Sequence, residues 1–540
     1  MKCFLSLSEK ISPWQLKNSG ARMAGATRIR TLGNMLLRIA VTIPLLASSG
    51  AFGGDWPQFR GPNGDGTSTE RILKAWPSGG PARVWKRAAA EKIITDGFSS
   101  FAVSQGIAYT MVTRSFDGVP MEVCLALNAD TGAELWTTPL EPADYTSGAG
   151  TGDGPRSTPT VVGDRVLAFS CRMVLTCMDA ANGNVLWRKD LPAEYSSSVI
   201  DWENAAAPVV EDELIYVNCN ASTRSLLALR VSDGSEAWRA QNERMTHASP
   251  VAATILGVRQ IIFLTQSGLI SIVPKTGALL WRYTFGYSTS TAASPVVAGD
   301  VVYCSASYGV GAAAVQLTKS GSTFSVHQLW RMKNALENHW TTPVHYQGFL
   351  YGLYGAASPG QNPLKCVNIM TGEEVWSHSG FGPGGVLLVD GTLMVLSDKG
   401  VLVLVEPDPT QYKEIARTQA VTGKSWNVPA VSNGRVYVRS INEAACLDLS
   451  VPAPKPLTVQ DPIRLADGSV RFDIAPTDGV AIDASRLGAI EVFTTTNLST
   501  GPTSWFRLSA PLFLTNGVVR WEDATLGNTP ERYFRVQENP

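Results

Sequence analysis

The chain has 540 residues, of which 44% are hydrophobic and 17% charged, with a formal net charge of −1. That length exceeds one ordinary core, so repeats or several domains are expected, and the composition excludes a disordered chain. No basic stripe runs along it, which excludes a nucleic-acid partner.

Residues 1–53 read as a signal peptide with a long basic leader. Seven basic residues (Lys2, Lys10, Lys17, Arg22, Arg28, Arg30 and Arg38) face one acid, Glu9, and an apolar stretch at 39–47 is followed by small residues. That is the order of a secretory signal, and the apolar stretch is too short to span a bilayer. Met23 and Met35 are alternative starts. A mature chain beginning near 52–54 would carry 38 basic and 45 acidic residues, about −7. The expectation is an exported, periplasmic or secreted protein with no membrane span.

From residue 54 to 450 a repeat governs the chain. Tryptophans 85, 136, 187, 238, 281, 330 and 376 recur at steps of 51, 51, 51, 43, 49 and 46 residues. Several close a common phrase, such as LALNADTGAELW at 125–136 and KCVNIMTGEEVW at 365–376. An alternating strand runs into an Asp/Asn/Thr-Gly turn, and the next strand begins with tryptophan: a hairpin whose glycine accepts positive φ. A second phrase, strand–turn–strand, opens each unit, as in TPTVVGDRVLAFS at 158–170 and SPVVAGDVVYCS at 294–305. Together they predict four strands per unit, the pattern of a propeller blade.

Opening phrases number eight and closing tryptophans seven, with Arg417 falling near the missing eighth. Trp85 precedes the first opening phrase, and the last one, at 428–440, meets no closing tryptophan. The strand around Trp85 is therefore expected to complete the final blade, which removes two open edges. The fold class expected is all-β: an eight-bladed β-propeller closed by its N-terminal strand, plus a small C-terminal β-sandwich. Trp85, Trp136, Trp187, Trp238, Trp281, Trp330 and Trp376 are expected to dock between blades rather than form a substrate platform.

The Ala-x-x-Gly-x-x-x-Trp spacing, complete at Ala129-Gly132-Trp136 and Ala180-Gly183-Trp187, resembles the tryptophan-docking motif of quinoprotein dehydrogenases and their non-catalytic relatives. DWPQFRGPNGDG at 55–66 and GDGPRSTPTV at 152–161 look like exported PQQ-binding-like propellers of planctomycetes and verrucomicrobia. The resemblance implies the fold; within it stand both scaffolds and enzymes.

Residues 451–466 carry four prolines and read as a linker. Five short alternating strands within 467–540 predict the sandwich, expected to stabilise or space, or to attach to surfaces or glycans.

Several motifs carry no chemistry. Ala126, Cys177, Ala228, Ser271, Cys366 and Cys446 share one register, so these cysteines fill a small packing slot, and no CxxC or adjacent cysteine pair exists. Asn63, Asp65 and Gly66 lack the remaining ligands of a calcium loop and read as a turn. GFGPGG at 380–385 precedes a strand rather than a helix, which excludes a dinucleotide loop.

The residues just before each inner strand are expected to ring one mouth of the central channel. They include Phe98, Arg156, Trp202, Glu203, Asn204, His247, His339, Trp340, Lys424, Trp426 and Asn427. Mixed aromatic and polar mouths suit ligands, and Arg156 is expected to be able to hold an anion. Two functions follow. The first is a non-catalytic binding or assembly scaffold of the cell envelope, monomeric, with a protein or small-molecule partner at the mouth and no cofactor, metal or catalytic residue. The second, implied by the resemblance, is a quinoprotein oxidoreductase using PQQ with calcium on alcohols or sugars, against which the missing adjacent cysteines count.

Overall fold

The computed structural model describes residues 27–31, 35–39, 54–145, 153–356 and 360–452, and from 455 to 538 all but 456, 461–462, 468, 478, 483, 496–504 and 524–532. The chain forms two compact units, Phe52–Val451 and Pro452–Pro540 with Met1–Ala51. Of the expected leader, only the backbone of an antiparallel hairpin, Thr27–Thr31 with Met35–Ile39, is described; the apolar stretch beyond Ile39 lies outside the described residues.

Residues Phe52–Val451 form successive antiparallel sheets with almost no helix. Eight sheets occur among the described residues of this unit. Their inner strands are Ala102–Ser104, Thr160–Val162, Val209–Glu211, Val251–Ile255, Val296–Ala298, Val344–Tyr346, Gly385–Val389 and Ala430–Ser432. Neighbouring sheets pack on each other, and the eighth inner strand meets the first, so the series of contacts closes on itself. Ala82–Arg87 is the outermost strand of the eighth sheet, lying antiparallel to Ala444–Asp448.

One register explains why the repeat is written as it is. In seven sheets a small residue stands directly opposite the tryptophan: Ala126, Cys177, Ala228, Ser271, Ala314, Cys366 and Cys446 face Trp136, Trp187, Trp238, Trp281, Trp330, Trp376 and Trp85. A β-bulge follows each pair. Six of the indoles donate to a carbonyl in the next sheet: Trp85 to Ala129, Trp136 to Ala180, Trp187 to Val231, Trp238 to Pro274, Trp330 to Ile369 and Trp376 to Asp408, at 2.8–3.0 Å. The turn glycine makes room for the ring. Gly132 has φ +66°, and a Cβ there would lie 2.6 Å from the Trp85 indole.

Two sheets depart from this rule. Trp281 donates to Gln260 Oε1 at 2.6 Å within its own sheet, because the fifth sheet carries its outer turn on a long hairpin, Gly311–Ser320 with Thr323–Met332. The eighth tryptophan slot, expected near Arg417, is filled by Ala416 opposite Leu404. The eighth sheet is assembled from two distant segments and offers no hairpin turn for an indole to cover. Arg417 instead pairs with Glu414.

Closure of the series is stitched by Arg439, 1% exposed in the eighth sheet. Its guanidinium donates to Thr110 Oγ1, Met111 O, Thr95 O and Gly97 O of the first, at 2.7–3.3 Å.

The segment 55–68 forms more than a turn. Trp56 exchanges two backbone bonds of 2.7 Å with Val103, Pro57 O accepts from Val161 N at 2.7 Å, and Gly66 O accepts from Leu388 N at 2.9 Å. The segment thus lines the inner edges of the first, second and seventh sheets. Buried Arg60 ties it to the sixth, donating to Thr342 O and Pro343 O at 2.8 and 2.9 Å.

The second unit contains a five-stranded and a three-stranded sheet. Val470, Phe472, Val519 and Trp521 from one share a core with Ile490, Val492 and Phe534 from the other. Phe472 stacks on Trp521 at 4.8 Å and 26°.

Candidate functional site

The loops leading into the inner strands are held shoulder to shoulder by hydroxyls at one register. Ser100 N donates to Thr158 Oγ1, Ala207 N to Ser249 Oγ, Ser294 N to Thr342 Oγ1 and Val428 N to Ser100 Oγ, at 2.9–3.1 Å. One turn earlier, Phe98 N donates to Pro155 O, His247 N to Thr291 O and Ala292 N to His339 O. Each bond joins one sheet's loop to the next, so residues far apart in the chain meet at one end of the inner strands.

The structure brings the predicted aromatic residues together. Phe98 stacks on Trp426 at 5.3 Å and 28°, Trp426 meets Trp340 at 4.7 Å and 38°, and Trp340 meets His339 at 4.7 Å and 47°. Tyr308 then meets His339 edge-on at 5.1 Å. Lys424 lies over the Trp426 ring at 4.5 Å and the Phe98 ring at 5.6 Å. The Trp340 indole donates to Pro383 O at 3.2 Å. Trp340, Trp426 and Lys424 remain half-buried, so the run presents a continuous aromatic and cationic surface. Offset and tilted pairs of this kind add about 0.5–1.5 kcal/mol each beyond their buried area.

A second cluster surrounds Arg156. Its guanidinium reaches Asp153 at 2.6 Å, Glu203 at 3.4 Å and Trp202 O at 2.7 Å. Both Nη atoms are engaged, and Arg156 fixes the loop that carries Trp202. That loop is strained, with Trp202 and Glu203 at φ +62° and +52°, a conformation that side-chain-bearing residues adopt at a cost.

His247 is buried among these loops, with Nε2 2.9 Å from Asp201 O and Nδ1 3.0 Å from Ser290 Oγ. A carbonyl only accepts, so Nε2 carries the proton and Nδ1 accepts from the serine. Burial lowers the pKa of His247 to about 4, and burial lowers that of His339 equally, to about 4, with His247 adding to it. Both rings are neutral at pH 7. Asn204 is fully committed: its amide donates towards Phe169 O, Ser170 O and Ala206 O, and its oxygen accepts from Ala206 N. Asn427 is buried beside the Gly385 backbone. Sequence reasoning missed Tyr308, Asp153 and Ser290, none of which precedes an inner strand directly; only the folded loops bring them in.

Closed series of antiparallel sheets, stitched at one register and capped by an aromatic surface, define a propeller-like repeat protein. The family model described as "Outer membrane protein assembly factor BamB" matches residues 121–353 and 360–451, and the chain belongs to that family. Among curated relatives it is 24% identical over 274 residues to the outer membrane protein assembly factor BamB of Yersinia pestis, covering 42% of this chain and 65% of that one. It is likewise 24% identical over 201 residues to the factor of the same name from Burkholderia pseudomallei (strain K96243), covering 37% and 48%. The chain thus matches less than two thirds of the length of these relatives. Among solved structures, quinohemoprotein alcohol dehydrogenase from Comamonas testosteroni is similar with a TM-score of 0.54, 13% identity, and coverage of 83% of this chain and 86% of that one. That likeness is one of fold alone.

Proposed function

We propose that this protein is an exported, non-catalytic scaffold of the cell envelope: an eight-bladed β-propeller that binds a protein partner through the aromatic mouth, with a small β-sandwich appended. The observation that carries the reading is the contact between Phe98, Trp426, Trp340 and His339 under Lys424, in a chain of an assembly-factor family. Tryptophan is among the residue types enriched where binding energy concentrates in protein interfaces. Among the described residues of the mouth, the histidine–hydroxyl pair seen is His247 with Ser290, which is buried and has its other ring nitrogen on a carbonyl.

The reading includes a cleaved leader, a mature start near 52–54 and a periplasmic or secreted monomer. Mass spectrometry of the native protein tests the start. Photo-crosslinkers placed at Lys424 and Trp340 in cells test the partner: a component or client of outer-membrane assembly is expected, captured from the mouth but not from exposed Leu135 on an outer strand. Capture from both positions alike would overturn the assignment of the mouth.

The quinoprotein reading is tested by adding PQQ and calcium to purified protein and following absorbance, thermal shift and dye-linked oxidation of alcohols and sugars. Saturable binding with turnover would replace the scaffold reading.

A further inference from the structure

Each inner strand of the Phe52–Val451 unit ends in a two-residue turn, whose flanking residues pair with each other. In such a hairpin the residue one step earlier turns its N–H and C=O away from its partner, toward the open inner edge of the sheet. In the first, second and seventh sheets that residue is Val103, Val161 and Leu388. The segment 55–68 takes up all three. Val103 exchanges two bonds of 2.7 Å with Trp56, Val161 N donates to Pro57 O at 2.7 Å, and Leu388 N donates to Gly66 O at 2.9 Å. The three residues are buried, at 1, 8 and 7% exposure.

The third, fourth and fifth sheets place Val210, Thr254 and Val297 at the same position. Among the described residues, none of the three makes a backbone bond across its inner edge. Val210 and Val297 are half-buried and Thr254 is exposed, unlike their covered counterparts. All three line a cavity of about 340 Å³, which Phe59 of the segment 55–68 also lines. The open edges are therefore continuous with those that the segment already covers. Val209, Val251 and Val296 add apolar lining, and Glu211 beside them is held bidentately by Arg259 at 2.9 and 2.6 Å.

We infer that the inner edges of the third to fifth sheets bind an extended, uncharged peptide segment of a partner protein, which continues there the backbone pairing that the segment 55–68 makes on the other sheets. The chain itself shows the complement of this edge: extended backbone, one residue to a sheet. Trp56 and Pro57, adjacent in the chain, serve adjacent sheets, so a short peptide reaches all three open positions. Main-chain bonds of strand addition supply the affinity and tolerate many sequences, and the valines favour apolar side chains. The surface is distinct from the aromatic mouth, since none of Phe98, His339, Trp340, Lys424 and Trp426 lines it; it stands or falls apart from that assignment.

The test uses the full chain and a fluorescein-labelled Val-Thr-Val-Thr-Val peptide amide. Hydrogen exchange read residue by residue should find the amides of Val210, Thr254 and Val297 open in the free protein, with those of Val103, Val161 and Leu388 protected. The peptide should bind saturably by fluorescence anisotropy and protect the three open amides. The same peptide N-methylated throughout keeps its side chains but loses its donors, and should bind about tenfold more weakly or worse. Val297→Pro removes one donor at an open edge, where proline is tolerated, and should weaken binding about fivefold, the loss of one hydrogen bond. Should that variant misfold, the N-methylated peptide on the unaltered chain still decides. No binding, equal binding of the two peptides, or binding that leaves the three amides unprotected would each overturn the inference.

Discussion

The indoles of Trp340 and Trp426 meet at 4.7 Å and 38°, although one leads into the sixth sheet and the other into the eighth. Their meeting reaches past the seventh sheet, to which Trp340 is also joined through Pro383 O. Trp340 also meets His339 of its own loop at 4.7 Å, and its contact with Trp426 exists because the loops before the sixth and eighth inner strands converge at one end of those strands.

Removing one of these rings separates binding from folding. Trp340→Ala loses two ring contacts at a half-buried site and should cost about 2 kcal/mol, against about 3–5 kcal/mol for Trp136→Ala, which empties a buried dock. Urea titration gives both values. Crosslinking from the mouth should fall sharply in the first variant at temperatures where it remains folded.

Closure rests on Arg439, whose guanidinium serves four acceptors in the first sheet. Arg439→Met should cost about 3 kcal/mol or more, because buried carbonyls lose their donors. Arg435→Ala, which breaks a pair with the exposed Asp130, should stay within about 1 kcal/mol. Equal losses in the two variants would mean that the stitch does not carry closure.

Acid should weaken the mouth through His247. Its folded pKa of about 4 lies below the ordinary 6.5. The unfolded chain therefore binds the proton first, and the contribution to stability is full above 6.5 and lost as pH falls through about 4. Between pH 7 and 5 this amounts to about 2 kcal/mol, given 1.36 kcal/mol per pH unit. Urea midpoints at the two pH values should differ by that much more in the wild type than in His247→Gln.

The thiols should be silent until the chain unfolds. Cys124, Cys171, Cys177, Cys219, Cys304, Cys366 and Cys446 are all buried and unbridged, and burial pushes the Cys177 and Cys366 thiols up to about 11. A thiol reagent at pH 8 should titrate almost none in the native protein and all seven in denaturant. Cys177→Ala should cost about 1 kcal/mol, a small core truncation.

The sequence by itself determined the strand pattern, the slot of small residues and the docking of most indoles. Alternation, Gly-turn spacing and the size of a residue facing tryptophan are local demands, repeated often enough to be read without neighbours. It also placed Phe98, His339, Trp340, Lys424 and Trp426 in one register before their strands. Tertiary structure alone decided what each of them does there. Arg156 is engaged in the fold by Asp153, Glu203 and Trp202 O, which no spacing in the sequence foretold. Ala416, not Arg417, fills the eighth slot, because the eighth sheet joins segments with no turn between them. Nothing in the sequence marked Arg60, which is a buried cation because the segment around it lies along inner strand edges and bonds Thr342 O, 282 positions away. Such pairings depend on how the series of sheets closes, and no local spacing encodes that closure.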